Sequence, residues 1–140
     1  MFLDVDDFKT INDTYGHDAG DAVLRQLADV IAEVFGGEAF IGRFGGDEFA
    51  VWIDDASVHD ESYIKVKIRE INAAFTHDGK RPMRITVSAG AAMCCCGDKY
   101  ADVIKAADNA LYEVKNHGKS ACLVCRVSDS VRIQNKEVAK

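Results

Sequence analysis

Arg43-Phe44-Gly45-Gly46-Asp47-Glu48-Phe49-Ala50-Val51-Trp52-Ile53 reads as two strands joined by a tight turn that carries acid. Paired glycines suit a hairpin that needs positive φ, and they leave no side chain between the backbone and whatever approaches it. The adjacent carboxylates Asp47 and Glu48 are badly placed for a core and well placed for a cation. A solvated acidic hairpin has the same composition, because turns favour Gly and Asp in any case. The segment upstream decides between the two.

Phe2-Leu3-Asp4-Val5-Asp6-Asp7-Phe8-Lys9 is a short apolar strand that ends in acids, followed by Thr10-Ile11-Asn12-Asp13-Thr14-Tyr15-Gly16-His17. Functional groups collect at strand ends and on the loops that follow them. If this strand pairs beside the hairpin, Asp4 and Asp47 come within reach of one divalent ion. Magnesium takes hard oxygen ligands, usually one or two protein carboxylates, and fills its octahedron with water and substrate phosphates. Two acids from separate strands suit that demand.

Further along, a short helix over Lys9 to Tyr15 stops at Gly16, and a longer one starts from about Gly20. Val23, Leu24, Leu27, Ile31 and Val34 recur on one face of the longer helix, which ends near Gly36-Gly37. After the hairpin, Ile64, Ile68, Ile71 and Phe75 mark an amphipathic helix, closed by the turn His77-Asp78-Gly79-Lys80 and the only proline, Pro82. Arg84 to Met93 reads as a strand, Val103, Ala107, Leu111 and Val114 line a last long helix, and Cys122 to Val127 form a final strand. From Ser128 the chain turns polar, which bounds a domain over 1–127 and a tail over 128–140. Strands and helices that alternate, with one hairpin between adjacent strands, imply an α/β sandwich with a mixed β-sheet covered by helices.

Composition bounds the function. A chain of 140 residues with 48% hydrophobic content is one domain with room for a core. A formal net charge of -6 and a pI near 5.1 argue against a nucleic-acid polymer as partner, since phosphate backbones call for clustered Lys and Arg. No run of about eighteen apolar residues and no signal-peptide pattern is present, so no membrane contact by this domain is expected. The five cysteines include Cys94-Cys95-Cys96 and a C-x-x-C, Cys122 and Cys125, inside an apolar strand. Neither arrangement suits zinc or a disulfide, and the expectation is reduced, mostly buried thiols.

Asp4-Val5-Asp6-Asp7-Phe8-Lys9-Thr10-Ile11-Asn12-Asp13, Gly16-His17-Asp18-Ala19-Gly20-Asp21, Arg43 to Phe49, Val87-Ser88-Ala89-Gly90 and Ala107 to Lys119 follow one another in the order of known motifs. Those motifs are D-x-D-x-F-K-x-x-N-D, G-H-x-x-G-D, R-[YF]-G-G-D-E-F, S-x-G and A-D-x-A-L-Y-x-x-K-x-x-G-[RK]. On them the chain resembles the GGDEF family of diguanylate cyclases over most of its length. The resemblance implies a palm-like, ferredoxin-related fold shared with nucleotidyl cyclases. It also implies condensation of two GTP into cyclic di-GMP with release of pyrophosphate, across a homodimer of domains, in bacterial second-messenger signalling. The implied compartment is the cytoplasm, with a membrane anchor elsewhere in a longer parent protein left open.

Carried over by motif position, the metal ligands for Mg2+ or Mn2+ are Asp4, the Val5 carbonyl, Asp47 and Glu48. The catalytic pair is Asp47 and Glu48, with Asp47 the proton acceptor by resemblance. Substrate binding falls to Asn12, His17, Asp21, Phe8, Lys9, Lys115 and Lys119. A carboxylate at Asp21 can accept from guanine N1–H and the N2 amino group together, and Asn12 offers both a donor and an acceptor to the remaining edge. Asn12 and Asp13 equally suit a helix end, Asp21 an acid near a helix start, and His17 the closing of a turn. Backbone N–H groups after Asp6 and the cations Lys115 and Lys119, one helical turn apart, are read as the triphosphate site. Lysine at 119 keeps the charge but lacks the bidentate fork of the arginine common there.

Two departures from the family pattern stand out. The inhibitory R-x-x-D is replaced by Gly36-Gly37-Glu38-Ala39, so product inhibition through that site is not expected. The family's helices normally precede the first strand, which here follows directly on Met1, so the resemblance implies an amino-terminally shortened domain and leaves the activity of the chain by itself open. Two other functions fit the same residues less well: a catalytically silent GTP-binding sensor or interaction module, and a cyclase making a cyclic mononucleotide.

Overall fold

A computed structural model describes residues 1–54, 60–76 and 85–127 of the chain. The elements run β1 (Phe2–Val5), α1 (Phe8–Tyr15), α2 (His17–Phe35), β2 (Phe40–Arg43), β3 (Glu48–Trp52), α3 (Glu61–Thr76), β4 (Val87–Met93), α4 (Tyr100–Asn116) and β5 (Cys122–Arg126). The five-stranded sheet has the order β2-β3-β1-β4-β5. β1 is antiparallel to both β3 and β4, while β4 and β5 are parallel and joined by α4. This is the expected mixed sheet covered by helices.

Alternation along the strands assigns each side chain to a layer. Leu3 and Val5 of β1, Phe49 and Val51 of β3, and Val87 and Ala89 of β4 join the main core with Ile11, Val23, Leu24, Leu27, Ile31 and Phe35 of α1 and α2 and Ile68, Ile71 and Phe75 of α3. The other face of β1 packs Phe2 against Ala107 and Leu111 of α4. Asp4, two residues on from Phe2, therefore lies on the α4 face, opposite Glu48 in the register. Burying each large apolar side chain contributes on the order of 2 kcal/mol, and that packing fixes which face the acids occupy.

β4 lies between the central strand β1 and β5. Asn72 of α3 clamps its start, donating from Nδ2 to the Val87 carbonyl at 3.1 Å while Oδ1 accepts the Val87 N–H at 2.7 Å. The S-x-G motif has a structural reading on the opposite face. A Cβ on Gly90 would stand 2.2 Å from the Leu111 nitrogen and 2.3 Å from the Ala107 carbonyl oxygen, so only glycine lets α4 lie this close to the sheet.

Several boundaries differ from the sequence expectation. α2 starts at His17, not near Gly20, because Gly16 (φ 85°) ends α1 and opens α2 at once, its carbonyl accepting from the Ala19 and Gly20 N–H groups. β4 starts at Val87, since Thr86 turns its carbonyl and hydroxyl to Asp6. Gly45 and Gly46 do not take positive φ; among the described residues the glycines that do are Gly16, Gly36, Gly37, Gly97 and Gly118. The β2–β3 loop spans residues 44–47 and so needs no tight primed turn. The expected turn at 77–80, Pro82, Arg84 and the polar stretch from Ser128 lie outside the described residues.

The cysteines also differ from expectation. All five are thiols, but none is fully buried, and Cys95 and Cys96 are exposed in the loop after β4. Cys122 packs on the main core and Cys125 on the α4 side, because residues three apart in a strand point to opposite faces. That geometry removes any common ligand for the C-x-x-C. Burial pushes the Cys122 thiol up to about 11, which keeps it protonated and unreactive at neutral pH.

Candidate active site

The acids predicted from the two strands do come together. Asp4 pairs with Glu48 across the β1–β3 ladder, and the Val5 N–H reaches the Asp47 carbonyl at 3.4 Å. Three carboxylates thus surround the carboxyl end of β1. Burial raises the Asp4 carboxyl; Lys115 opposes that rise, and Asp47 and Asp6 add to it. Glu48 is likewise raised by partial burial and then by the charges of Asp4, Asp47 and Asp108. Such a site stores repulsion that a cation relieves.

One cation of the chain already lies there. The Lys115 ammonium donates to Asp4 Oδ1, to Asp6 Oδ1 at 2.9 Å, and to the Val5 carbonyl at 3.4 Å. Burial acts to lower the Lys115 pKa, but its bonds to Asp4 and Asp6 outweigh that and hold it above the usual lysine range. Asp4 Oδ1 and the Val5 carbonyl are therefore close enough together, and negative enough, to share one cation. Those same oxygens are the hard donors magnesium prefers, so the residues fit the ion. Among the described residues, no three His, Cys, Asp or Glu side chains gather tightly enough to hold a metal unaided. Magnesium habitually completes its shell with carbonyl, water and phosphate oxygens, which suits this donor set.

Asp6 is the residue that sequence reasoning passed over. Its side chain is buried and accepts from Thr86 Oγ1 and Ser88 Oγ, both at 2.7 Å, from Lys115, and from the Ser120 N–H at 3.0 Å. Burial acts to raise its pKa, yet these donors outweigh it and hold Asp6 below the usual carboxylate range. The second acid of D-x-D thus ties β1 to β4, to α4 and to the turn after α4. Its signal in the sequence is the pairing of that acid with the serine of S-x-G.

Three residues with left-handed backbones other than glycine cluster around this knot: Asp7 (φ 56°), Lys119 (φ 61°) and Ser120 (φ 51°). Strain of this kind persists where surrounding bonds over-determine the backbone. Lys119 Nζ bonds Asp7 Oδ1 at 2.6 Å. α4 ends at Asn116, so Lys119 lies beyond the helix and not one turn along it from Lys115. The two cations diverge, one to Asp4 and Asp6, the other to Asp7. With its carboxylate on Lys119, Asp7 stands at the N-cap of α1 without capping it through its side chain.

The GGDEF turn is braced from within. Arg43 Nε donates to the carbonyls of Gly45 and Gly46, each at 3.2 Å, and Nη2 to Gly46 at 2.6 Å. A Cβ on Gly45 would stand 2.9 Å from Glu48 Oε2, whereas one on Gly46 would meet nothing within 4 Å. Gly45 makes room for Glu48, and Gly46 leaves the turn open to solvent. Arg43 was legible only as the first letter of a motif.

Beside the turn, Asp21, Leu24, Arg25, Ala28, Ile41, Gly42, Arg43 and Phe49 line a cleft of about 460 Å³ between α2 and the β2–β3 hairpin. A cleft of that volume, apolar with a few charges, is in the range of small-molecule sites. Asn12 lies on α1 against Gly20, the residue before Asp21. Phe8 is partly buried on the main core, while Lys9 and His17 are exposed at the starts of α1 and α2. Asp21 lines the cleft and Asn12 does not, but both base-reading candidates lie at Gly20, where α1 packs on α2. Lys9 and His17 stand at the rim.

The sequence profile described as "Diguanylate cyclase, GGDEF domain" matches residues 1–121. The chain belongs to the GGDEF domain family. It is 38% identical over 125 residues to Diguanylate cyclase DgcZ of Escherichia coli K12, covering 88% of this chain and 42% of that protein. It is 35% identical over 127 residues to a diguanylate cyclase of Vibrio cholerae serotype O1, covering 90% of this chain and 39% of that protein. The chain spans well under half the length of either of these relatives. Among solved structures, the active GGEEF domain of a diguanylate cyclase from Vibrio cholerae superposes with a TM-score of 0.76 at 32% identity, covering 88% of this chain and 79% of that one. The GGDEF domain of DgcB from Caulobacter crescentus, in complex with c-di-GMP, gives 0.73 at 34% identity, covering 88% and 74%. The GGDEF fold expected from the motifs is therefore the fold observed. No helix among the described residues is long and apolar enough to cross a membrane.

Proposed function

We propose that this GGDEF domain condenses two GTP into cyclic di-GMP, releasing two pyrophosphates, when two copies face each other. The observation that carries the reading is the Lys115 ammonium held by Asp4 and the Val5 carbonyl beside Glu48 and Asp47, which supports a cation site at the end of β1. Family membership supplies the reaction class, and the site residues supply the parts it needs.

Asp4, the Val5 carbonyl, Asp47 and Glu48 are the residues that would hold magnesium or manganese. Bound there, the ion would lower the pKa of the attacking ribose 3′-hydroxyl and neutralise phosphate charge. The proton leaving that hydroxyl passes to the Asp47–Glu48 pair, with Asp47 the leading acceptor by resemblance. Uncapped N–H groups at the start of α1, with Lys9, receive the phosphates. Lys115 and Lys119, each now on a carboxylate, are within the same region to follow them.

Asp21 and Asn12 select guanine, with Phe8 fixing α1 beneath them and His17 at the rim. Asp21 is exposed and so is solvated with any base, and its preference for guanine comes from the two hydrogen bonds that N1–H and the N2 amino group donate to it. Each domain holds one GTP, so bond formation requires a second domain to bring the two reacting groups together.

The test is the dependence of turnover on domain concentration with GTP and magnesium. A rate per domain that rises with concentration and disappears in Asp47→Ala supports the reading. Tight GTP binding without turnover at any concentration, unchanged by Asp47→Ala, would make the domain a nucleotide-binding module instead.

A further inference from the structure

Asn12 has one feature that the roles above do not explain. Its carboxamide oxygen Oδ1 is buried and has no hydrogen-bond partner; among the described residues it is the one buried side-chain polar atom in that state. An unpaired buried acceptor is costly, and native proteins retain few of them. The atom it faces is the bare Cα of Gly20. A Cβ built on Gly20 would stand 1.9 Å from Asn12 Oδ1, 3.0 Å from its Cγ and 3.1 Å from Cζ of Phe8.

Gly20 is not needed for its backbone. It lies inside α2 with an ordinary helical φ, where alanine is the better helix former. Its use is the space that it leaves. α1 can approach α2 closely enough for the Asn12 carboxamide and the Phe8 ring tip to occupy the space that a Gly20 side chain would take.

We infer that Gly20 is a positioning residue: its missing side chain seats the Asn12 carboxamide so that its oxygen is turned inward and its amino group is the end left to donate to the nucleotide base. The inference rests on the reading of Asn12 as a base-recognising residue. It adds that the orientation of Asn12 is set by α2 and that Asn12 acts as a donor. A donor seeks an acceptor on the purine, while Asp21 accepts from the donors of guanine, so the two side chains read complementary groups of one base.

The experiment is a double-mutant cycle on the full chain, with affinities for GTP and ATP measured by calorimetry and unfolding followed alongside. Gly20→Ala should weaken GTP binding by about tenfold or more, as the loss of a hydrogen bond at a buried site does, and should lower the GTP-to-ATP ratio. Asn12→Ala should do the same. The double variant Gly20→Ala/Asn12→Ala should bind GTP no worse than Asn12→Ala alone and melt above Gly20→Ala, because the methyl group then has room and alanine favours the helix. Additive losses in affinity, or wild-type affinity in Gly20→Ala, overturn the inference and leave guanine recognition standing. Equal affinity of the unaltered chain for GTP and ATP overturns both.

Discussion

Replacing Gly90 with alanine tests how the sheet and α4 hold the site. The added methyl carbon would lie 2.2 Å from the Leu111 nitrogen, 2.3 Å from the Ala107 carbonyl oxygen and 2.7 Å from the Leu111 Cα. All three are backbone atoms of a helix, so no rotamer change relieves them. Ordinary contact is near 3.5 Å, and α4 must therefore retreat from β4 by about 1 Å or more. That retreat loosens Phe2, Ala107 and Leu111, which pack together under the helix. Overpacking of this kind costs about 1–3 kcal/mol, and the absence of any yielding side chain puts Gly90→Ala at about 3 kcal/mol. In a domain of this size that lowers Tm by roughly 10 °C. Lys115 lies one turn beyond Leu111, so the same shift pulls its ammonium away from Asp4 and Asp6. Thermal and urea unfolding of Gly90→Ala beside Gly46→Ala measures the effect. Gly46, with nothing within 4 Å of a Cβ and no positive φ, should stay within about 0.5 kcal/mol of the parent. A Gly90→Ala variant as stable as Gly46→Ala would refute the packing argument.

Arg43→Ala should cost less than about 1 kcal/mol in urea unfolding, since its bonds are exposed, yet it should lower turnover more than tenfold by freeing the Gly45 and Gly46 carbonyls; equal, mild effects on both would count against a bracing role. Glu48→Gln should raise Tm at pH 7 without metal. The folded Glu48 pKa is raised, so its contribution is full below the ordinary carboxylate pKa and is lost as pH rises through the folded value; the gain of the variant should vanish near pH 4. Asp6 has the opposite sign. Its folded pKa is lowered, so it stabilises above the ordinary carboxylate pKa, and Asp6→Asn should lower Tm at pH 7 while narrowing its deficit as pH falls through the lowered value.

What the sequence discloses and what it hides have distinct physical causes. Periodicity places α3 and α4, because Ile64, Ile68, Ile71 and Phe75, or Val103, Ala107, Leu111 and Val114, are buried together only on a helix. Pairing of the first strand beside the hairpin, the condition under which Asp4 meets Asp47, is present, but the register sets Asp4 opposite Glu48, a partner that spacing does not specify. Side-chain reach is not encoded by spacing. Lys115 and Lys119 look like one basic face until α4 ends at Asn116 and sends them to different carboxylates. Asp6 carries no role in the sequence beyond its place in a motif, and only the fold shows Thr86, Ser88 and Ser120 surrounding it. Glycines are the hardest to read, since Gly20, Gly45 and Gly90 serve by what they leave out and none of them by positive φ. The burial of thiols failed for a related reason: Cys94 to Cys96 fall just past the end of β4, where the apolar run continues but the sheet does not.

The central claim is that this domain joins two GTP molecules at the site between β1 and the Gly45–Gly46 turn. It is tested most directly by incubating an artificially dimerised form with GTP and magnesium, then separating and weighing the nucleotide products by chromatography and mass spectrometry. The account predicts cyclic di-GMP with two pyrophosphates released per product, absent in Asp47→Ala. A cyclic mononucleotide, or GTP recovered intact from the paired domains, would contradict it.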